Sequence, residues 1–185
     1  MEIASSCLLA MTTDGMLIAS VSKTMIAVSL AKAIELGYFE IETPINEILP
    51  FRIVNPYHPN DTIRIEHLFT HTSGIIDNEI TFIGSYQLTK RPSISMGTFL
   101  EDCLSENGQS YNQNNFDSSK AGSKYNYSNI ASALVAYLIE LKSEISFDEF
   151  TQKYIFEPLD LERTHWFYDE LQSKDYAKLY EINIP

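Results

Sequence analysis

The sequence predicts a mainly α-helical globular fold, and three observations lead to that prediction. Apolar residues recur at helical spacing in several segments of the 185-residue chain. Runs of alternating apolar and polar residues, which are typical of strands, are few. Hydrophobic residues make up 44% of the chain, enough for a real core and too many for a disordered protein. Because the length fits one domain and no linker divides it, we interpret residues 1–185 as a single domain.

The first predicted helix runs from Val21 to about Leu36. The segment contains no Pro or Gly until Gly37, which suits a C-terminal stop. Its first two turns are apolar nearly all round, as expected of a helix in a core. Further along the same helix, Ser29 and Lys32 are expected to lie on an ordinary helix surface.

A second, shorter helix of about two turns is indicated by Ile65, Leu68 and Phe69. The segment His71-Thr72-Ser73-Gly74 follows, and its glycine can close the helix by adopting a positive φ. Residues 105–124 are rich in Asn, Ser, Gln and Gly, which predicts a long surface loop.

A third helix is predicted in the last third of the chain, where six residues fall on one helical face. They are Ile130, Ala133, Leu134, Tyr137, Leu138 and Leu141. The segment Ser146-Phe147-Asp148-Glu149 has the pattern of a capping box and predicts the start of another helix.

The composition excludes several classes of partner. The net charge of −12 repels the phosphate backbone on which nucleic-acid binding depends. The longest apolar stretches, Thr24 to Ala31 and Ile130 to Leu141, are too short for a membrane span. Glu2 stands where a secretory signal would carry positive charge, so we predict no signal peptide and leave the compartment open.

Neither a cofactor nor a metal is predicted. The seven glycines never form the GxG pattern of dinucleotide-binding loops, and Cys7 and Cys103 match no metal or redox spacing and are interpreted as buried apolar residues. His67 and His71 form an i, i+4 pair able to face a metal. However, Leu68 stands where a zinc protease carries its glutamate, and no third ligand has a convincing spacing, so a zinc hydrolase is the least favoured interpretation.

The segment Ser20-Val21-Ser22-Lys23 is the candidate for chemistry. A spacing of three residues places both side chains on one helix face, a turn apart. A serine hydroxyl needs a base to remove its proton, and a desolvated lysine amine can serve. At a helix start, free backbone N–H groups and the helix dipole would also stabilise negative charge near Ser20. The alternative is a simple N-cap serine followed by a helical lysine.

Further motifs follow in order: Leu68-Phe69-Thr70-His71-Thr72-Ser73-Gly74, then Tyr127-Ser128-Asn129, then Glu157-Pro158-Leu159-Asp160-Leu161 with Thr164. Together with the Ser20 segment, this pattern resembles the class C β-lactamase-like and penicillin-binding-protein-like serine hydrolases. The resemblance extends from about Ile18 to Thr164, with its main gap between Asp77 and Lys120.

The resemblance implies a role for four residues. Ser20 would be the acylated nucleophile, Lys23 its proton acceptor, Tyr127 a phenol that relays the proton to the leaving group, and Asn129 an amide that orients the substrate carbonyl or Lys23. Without the resemblance, Tyr127 would be interpreted as an anchor before the helix at Ile130, and Asn129 as an N-cap or first-turn residue. The segment at His71 would be structural.

The resemblance also implies a fold in which an antiparallel sheet flanked by helices lies beside a helical lobe. This chain would keep the central helix and the helical lobe and lack most of the sheet, so residues 1–185 would be a partial domain with short strands and exposed apolar helix faces. The family's third motif, Lys or His followed by a small residue and Gly, is missing. The similar triplet Lys120-Ala121-Gly122 precedes Tyr127 instead of following it.

Two hypotheses of function follow. The first is a serine hydrolase that acts on a small-molecule amide or ester through an acyl-enzyme. The second is a non-catalytic fragment or pseudoenzyme of the same family. The sequence does not identify the substrate, because in this family specificity comes from loops and pocket shape.

Overall fold

A computed structural model describes residues 8–9, 16–78, 91–167 and 170; at 8–9 and 16–17 it describes the backbone alone. Cys7 lies outside the described residues. The described part is mainly helical, as predicted. The α-helices are α1 (Lys23–Glu35), α2 (Ile65–Phe69), α3 (Met96–Leu104), α4 (Asn129–Ser143) and α5 (Phe147–Thr151). The strands are β1 (Leu8–Leu9), β2 (Met16–Leu17) and β3 (Thr164–His165).

The three strands form a small antiparallel sheet in the order β2-β1-β3. Leu8 pairs with Leu17 on one side and with His165 on the other. Each strand has two residues, so the expectation of short strands is confirmed.

Helix α4 is at the centre of the core and packs against α1, α2, α3 and α5. Its residues are buried around most of the circumference, and Leu134 and Leu138 are fully enclosed. The predicted apolar face was therefore too narrow. Tyr137 and Leu141, which were assigned to that face, are only partly buried.

Helix α1 begins two residues later than predicted, because a 3-10 turn (Ala19–Ser22) precedes it. Its end agrees with the sequence, since Gly37 has a φ of 75° and stops the helix. The expected exposed apolar face is present: Val21 and Val28, one heptad apart, are 62% and 45% exposed. The surface position expected for Ser29 was wrong, because this side chain is fully buried.

Helix α2 is short, as predicted, but its five residues make fewer than the two turns expected, and its end also differs from the prediction. His71 takes the left-handed conformation directly after it, with a φ of 56°, and Gly74 does so again with a φ of 78°. The capping box at the start of α5 is confirmed, since the backbone N–H of Ser146 donates to Glu149 Oε2 at 3.2 Å. A turn of π-helix (Gln152–Phe156) follows α5.

Helix α3 lies between Asp77 and Lys120, where the resemblance to the family has its main gap, and it was not predicted. Ser95 caps it by accepting a hydrogen bond from the Thr98 N–H at 3.1 Å, and Cys103 is buried in it, as predicted for that cysteine. Burial raises the pKa of the Cys103 thiol to about 12. Among the helices in the described ranges, none is both long and apolar enough to cross a bilayer.

The segment 105–124 contains only a 3-10 turn (Gln113–Asn115) as regular structure, which agrees with a loop. It is anchored more firmly than a surface loop would be, because Asn115 and Phe116 are buried. The buried Asn55 side chain donates to the carbonyl of Asp117 at 2.9 Å. The hydrogen bond from Lys124 Nζ to Asp117 Oδ2, at 2.7 Å, holds the pKa of Asp117 well below its usual range.

Candidate active site

Ser20 lies in the 3-10 turn before α1, and its side chain is exposed. The preceding residue, Ala19, has a φ of 45°, in the left-handed region that costs an alanine roughly 1–2 kcal/mol. The Val21 N–H donates to the Ile18 carbonyl at 3.0 Å, so this N–H is not one of the free donors that the sequence led us to expect. A strained turn therefore presents the Ser20 hydroxyl.

Lys23 follows at the start of α1, on the same face as Ser20. Its Nζ lies 3.4 Å from Ser20 Oγ and 2.5 Å from Asn129 Oδ1. It also lies 4.9 Å from the centre of the Tyr127 ring, a distance at which an ammonium group is attracted to an aromatic face. The amine is thus held between the hydroxyl, an amide oxygen and a phenol ring.

Tyr127 comes from the segment before α4, 107 positions after Ser20, and its hydroxyl donates to Ser20 Oγ at 3.0 Å. The side chain is 41% exposed, so a small molecule can reach the phenol. Ser20 Oγ therefore has the Lys23 amine and the Tyr127 phenol within hydrogen-bond distance. The amine comes from the start of α1 and the phenol from the segment before α4.

Asn129 is the first residue of α4, and Ser128 is the N-cap. Ser128 Oγ accepts a hydrogen bond from the Ala131 N–H at 3.0 Å. The Asn129 side chain is consequently not needed as a cap and points instead to Lys23. Of the two interpretations from spacing alone, the first-turn position is correct and the cap is wrong.

Asp77, in the irregular segment that follows the turn after α2, was not identified from the sequence. Its Oδ2 accepts hydrogen bonds from the backbone N–H of Asn129 at 2.8 Å and from Asn129 Nδ2 at 2.7 Å. Its Oδ1 accepts from Ser128 Oγ at 2.9 Å and from the Ile130 N–H at 3.0 Å. A carboxylate at a helix N-terminus is stabilised by the free N–H groups and by the helix dipole.

His71 supports the same corner of the site. Its Nδ1 accepts a hydrogen bond from the Ser128 N–H at 3.2 Å, and its ring lies 4.7 Å from the Tyr127 ring. Burial and the nearby charge of Lys23 lower the pKa of His71, while Asp77 acts in the opposite direction. The neutral imidazole is the form that can accept this hydrogen bond.

The two histidines of the i, i+4 pair each use Nδ1 for a backbone contact, since His67 Nδ1 accepts from the Arg64 N–H at 3.1 Å. Within the ranges that the structure describes, no group of three His, Cys, Asp or Glu residues could hold a metal ion. The triplet Lys120-Ala121-Gly122 lies beside the segment that follows α2, because the Gly122 N–H donates to the Thr72 carbonyl at 2.8 Å.

A separate cleft of about 710 Å³ lies between α5 and β3. It is lined by acidic side chains, among them Asp148, Glu149 and Glu157, together with Trp166. None of the residues around Ser20 lines it, so the cleft is distinct from the candidate site.

Comparison with known proteins assigns the chain to a family. A family model described as beta-lactamase matches residues 12–184. The chain belongs to the beta-lactamase family. No match was found among curated protein sequences.

Solved structures share the fold at low sequence identity. FmtA from Staphylococcus aureus is 22% identical, with a TM-score of 0.67 over 94% of this chain and 42% of that one. The octameric penicillin-binding protein homologue from Pyrococcus abyssi is 19% identical, with a TM-score of 0.61 over 94% and 36%. The β-lactamase/D-alanine carboxypeptidase from Yersinia pestis is 21% identical, with a TM-score of 0.58 over 81% and 40%. This beta-lactamase family chain thus spans less than half the length of these structures.

Proposed function

We propose that this beta-lactamase family chain carries the nucleophile half of a serine hydrolase that acts on a small-molecule amide or ester. Ser20 is the nucleophile, Lys23 its proton acceptor, Tyr127 the proton donor to the leaving group, and Asn129 the amide that orients Lys23. The observation that supports the proposal best is the approach of Lys23 Nζ and Tyr127 OH to the same atom, Ser20 Oγ.

Acylation proceeds through the contacts around that atom. The role of proton acceptor requires Lys23 in its deprotonated form: the amine takes the hydroxyl proton as Ser20 Oγ bonds to the substrate carbonyl carbon, and the carbonyl oxygen takes up the negative charge. When the bond to the leaving nitrogen or oxygen breaks, Tyr127 gives its proton to that atom and recovers one from Lys23. Water then releases the acid from the acyl-enzyme and restores the hydroxyl of Ser20.

Stabilisation of the oxyanion needs donors as well as a nucleophile. The backbone N–H of Ser20 is one candidate donor, and a second has to come from a group outside the four residues, since the Val21 N–H is used within the turn. In the hydrolases that the sequence resembles, the strand carrying the third motif supplies such a donor. The rate of the 185-residue chain should therefore be low, although Ser20 should react.

The substrate class is drawn from the family and from the related structures. A penicillin-binding protein homologue and a β-lactamase/D-alanine carboxypeptidase are among the proteins of similar fold. Acylation by β-lactam amides or by simple activated esters is therefore the reaction to test.

The test is intact-mass measurement after incubation with a penicillin and, separately, with a fluorophosphonate. We expect a single adduct on the wild-type chain and none on Ser20→Ala. Ser29→Ala is the matched control, because it removes the serine of a second S-x-x-K spacing in α1 and should leave labelling unchanged. Labelling that persists in Ser20→Ala would show that another residue reacts and would contradict the assignment.

The second candidate function is that of a non-catalytic member of the family. It is favoured by one observation, that the Val21 N–H beside Ser20 donates to the Ile18 carbonyl at 3.0 Å and is not free to stabilise an oxyanion. A folded chain that forms no adduct with either probe would support this candidate over the hydrolase. Trp166 fluorescence and circular dichroism would establish that the chain is folded.

A further inference from the structure

The Asp77 carboxylate takes four hydrogen bonds from three consecutive residues at the start of α4. Three of the donors are the groups that any capping carboxylate would bind, namely two backbone N–H groups and the Ser128 hydroxyl. The fourth is the side-chain amide of Asn129, whose Nδ2 lies 2.7 Å from Asp77 Oδ2. Helix capping alone does not require this fourth contact.

The fourth contact decides which end of the Asn129 amide faces Lys23. An ionised carboxylate can only accept hydrogen bonds, so it selects the NH₂ end of the amide. The carbonyl end is then left to face Lys23 Nζ, at 2.5 Å. A reversed amide would set its oxygen against the carboxylate and its NH₂ against the amine, so both contacts would become unfavourable.

The orientation matters for Lys23 because a neutral amine has two N–H donors and one lone pair. When Asn129 Oδ1 accepts one N–H, the amine is anchored with Ser20 Oγ 3.4 Å from the same nitrogen. Once the serine proton is transferred, the ammonium group faces an amide oxygen whose opposite end is bound to a carboxylate. The negative charge of Asp77 thus supports the positive charge that appears on Lys23.

We propose that Asp77 is a positioning residue for Lys23 and acts through the amide of Asn129. This inference rests on the proposed hydrolase function and adds a residue to it. Asp77 does not contact the reacting atoms, so its effect is to hold the amine and to support its charge.

The test compares rates of fluorophosphonate labelling in the wild type, Asp77→Asn, Asn129→Ala and the double variant. Asp77→Asn keeps the size of the side chain but removes the charge and half of its acceptor capacity. We expect labelling to slow by about tenfold to a hundredfold, the effect of misplacing a reacting group by up to about 1 Å. If Asp77 acts through Asn129, the double variant should be labelled at nearly the same rate as Asn129→Ala alone.

Ser128→Ala is the control for helix capping. It removes the cap on Ala131 and one hydrogen bond to Asp77 but leaves the bond between Asp77 and the Asn129 amide. It should lower the stability of the chain while the labelling rate of the folded fraction stays within about twofold of wild type, a difference of about 0.4 kcal/mol in the barrier.

The outcomes separate the two proposals. A wild-type chain that labels while Asp77→Asn labels equally fast overturns the role of Asp77 and leaves the hydrolase proposal standing. The role of Asp77 is also overturned if the double variant is slowed by the product of the two factors measured for Asp77→Asn and Asn129→Ala separately. A wild-type chain that does not label contradicts the hydrolase function, and the inference falls with it.

A second measurement covers the case in which Asp77→Asn does not fold. In the wild-type chain, one NH₂ proton of Asn129 should give a downfield, slowly exchanging NMR signal, because it is bonded to a carboxylate. The signal is assigned by its loss in Asn129→Ala. An Asn129 NH₂ pair at the positions of a solvent-exposed amide would overturn the inference.

Discussion

Ser29 and Ser132 form a natural pair for testing what an unsatisfied hydroxyl costs the core. Both are buried in the middle of a helix, Ser29 in α1 and Ser132 in α4, and these two helices pack against each other. Ser132 Oγ donates to the Ser128 carbonyl at 3.1 Å. Ser29 Oγ has no hydrogen-bond partner in the described part of the chain.

The expected effects of the two alanine substitutions have opposite signs. Ser29→Ala removes a buried polar group that costs about 1–3 kcal/mol, and alanine adds about 0.5 kcal/mol of helix propensity. We expect the free energy of unfolding to rise by about 1.5–3.5 kcal/mol. Ser132→Ala gains the same propensity but loses a hydrogen bond worth about 1 kcal/mol, so it should lower stability by about 0.5 kcal/mol.

Urea unfolding followed by the fluorescence of Trp166, the single tryptophan, measures both changes. Trp166 is suited to this because its Nε1 donates to Thr151 Oγ1 at 2.7 Å and its side chain is buried. The midpoint should rise for Ser29→Ala and fall slightly for Ser132→Ala, with unchanged m-values. A Ser29→Ala midpoint at or below that of Ser132→Ala would refute the reasoning, because it would mean that the Ser29 hydroxyl is satisfied.

Three further predictions concern packing, titration and strain. In Gly97→Ala the new Cβ would lie 2.5 Å from the Tyr137 hydroxyl. We therefore expect the free energy of unfolding, measured by urea titration, to fall by about 1–3 kcal/mol. The fall should largely vanish in a Tyr137→Leu background. Burial raises the pKa of Glu140, so its contribution to stability should fall as pH rises from 4.5 through the raised value. Midpoints measured across this range should show the fall in the wild type and not in Glu140→Gln, and equal slopes would contradict it. Ala19→Gly relieves the left-handed strain before the nucleophile and should add about 0.5–1 kcal/mol, whereas a lower midpoint would show that the turn is unstrained.

The pairing of Ser20 with Lys23 could be predicted from spacing, because residues three apart on a helix are neighbours. The approach of Tyr127 to Ser20 could not be predicted in that way, since 107 positions separate them and the contact depends on how α1 and α4 pack. Only the resemblance of the ordered motifs to a known family brought Tyr127 and Asn129 into the same site.

The role of Asp77 could not be predicted from the sequence. A single aspartate after a short helix has many ordinary explanations, and its role depends on meeting the start of α4. The left-handed conformation of Ala19 could not be predicted either, because alanine is not a residue type that indicates a positive φ. The burial of Ser29 was missed because it is set by the neighbouring helices and not by its own sequence.

Helix α3, by contrast, could have been predicted. Its apolar residues follow the i, i+3, i+4 spacing, and Ser95 precedes them as an N-cap. They are Met96, Phe99, Leu100, Cys103 and Leu104. The resemblance to the family does not indicate this helix, because its main gap extends from Asp77 to Lys120.

The most direct test of the central claim, that Ser20 is a nucleophile activated by Lys23, is localisation of a fluorophosphonate adduct by tandem mass spectrometry of the digested chain. We predict that the adduct lies on Ser20, that the buried Ser29 carries none, and that Lys23→Ala reduces the yield at Ser20 by at least about a hundredfold. An adduct on any other residue, or equal modification of Ser20 in the Lys23→Ala chain, would contradict the claim.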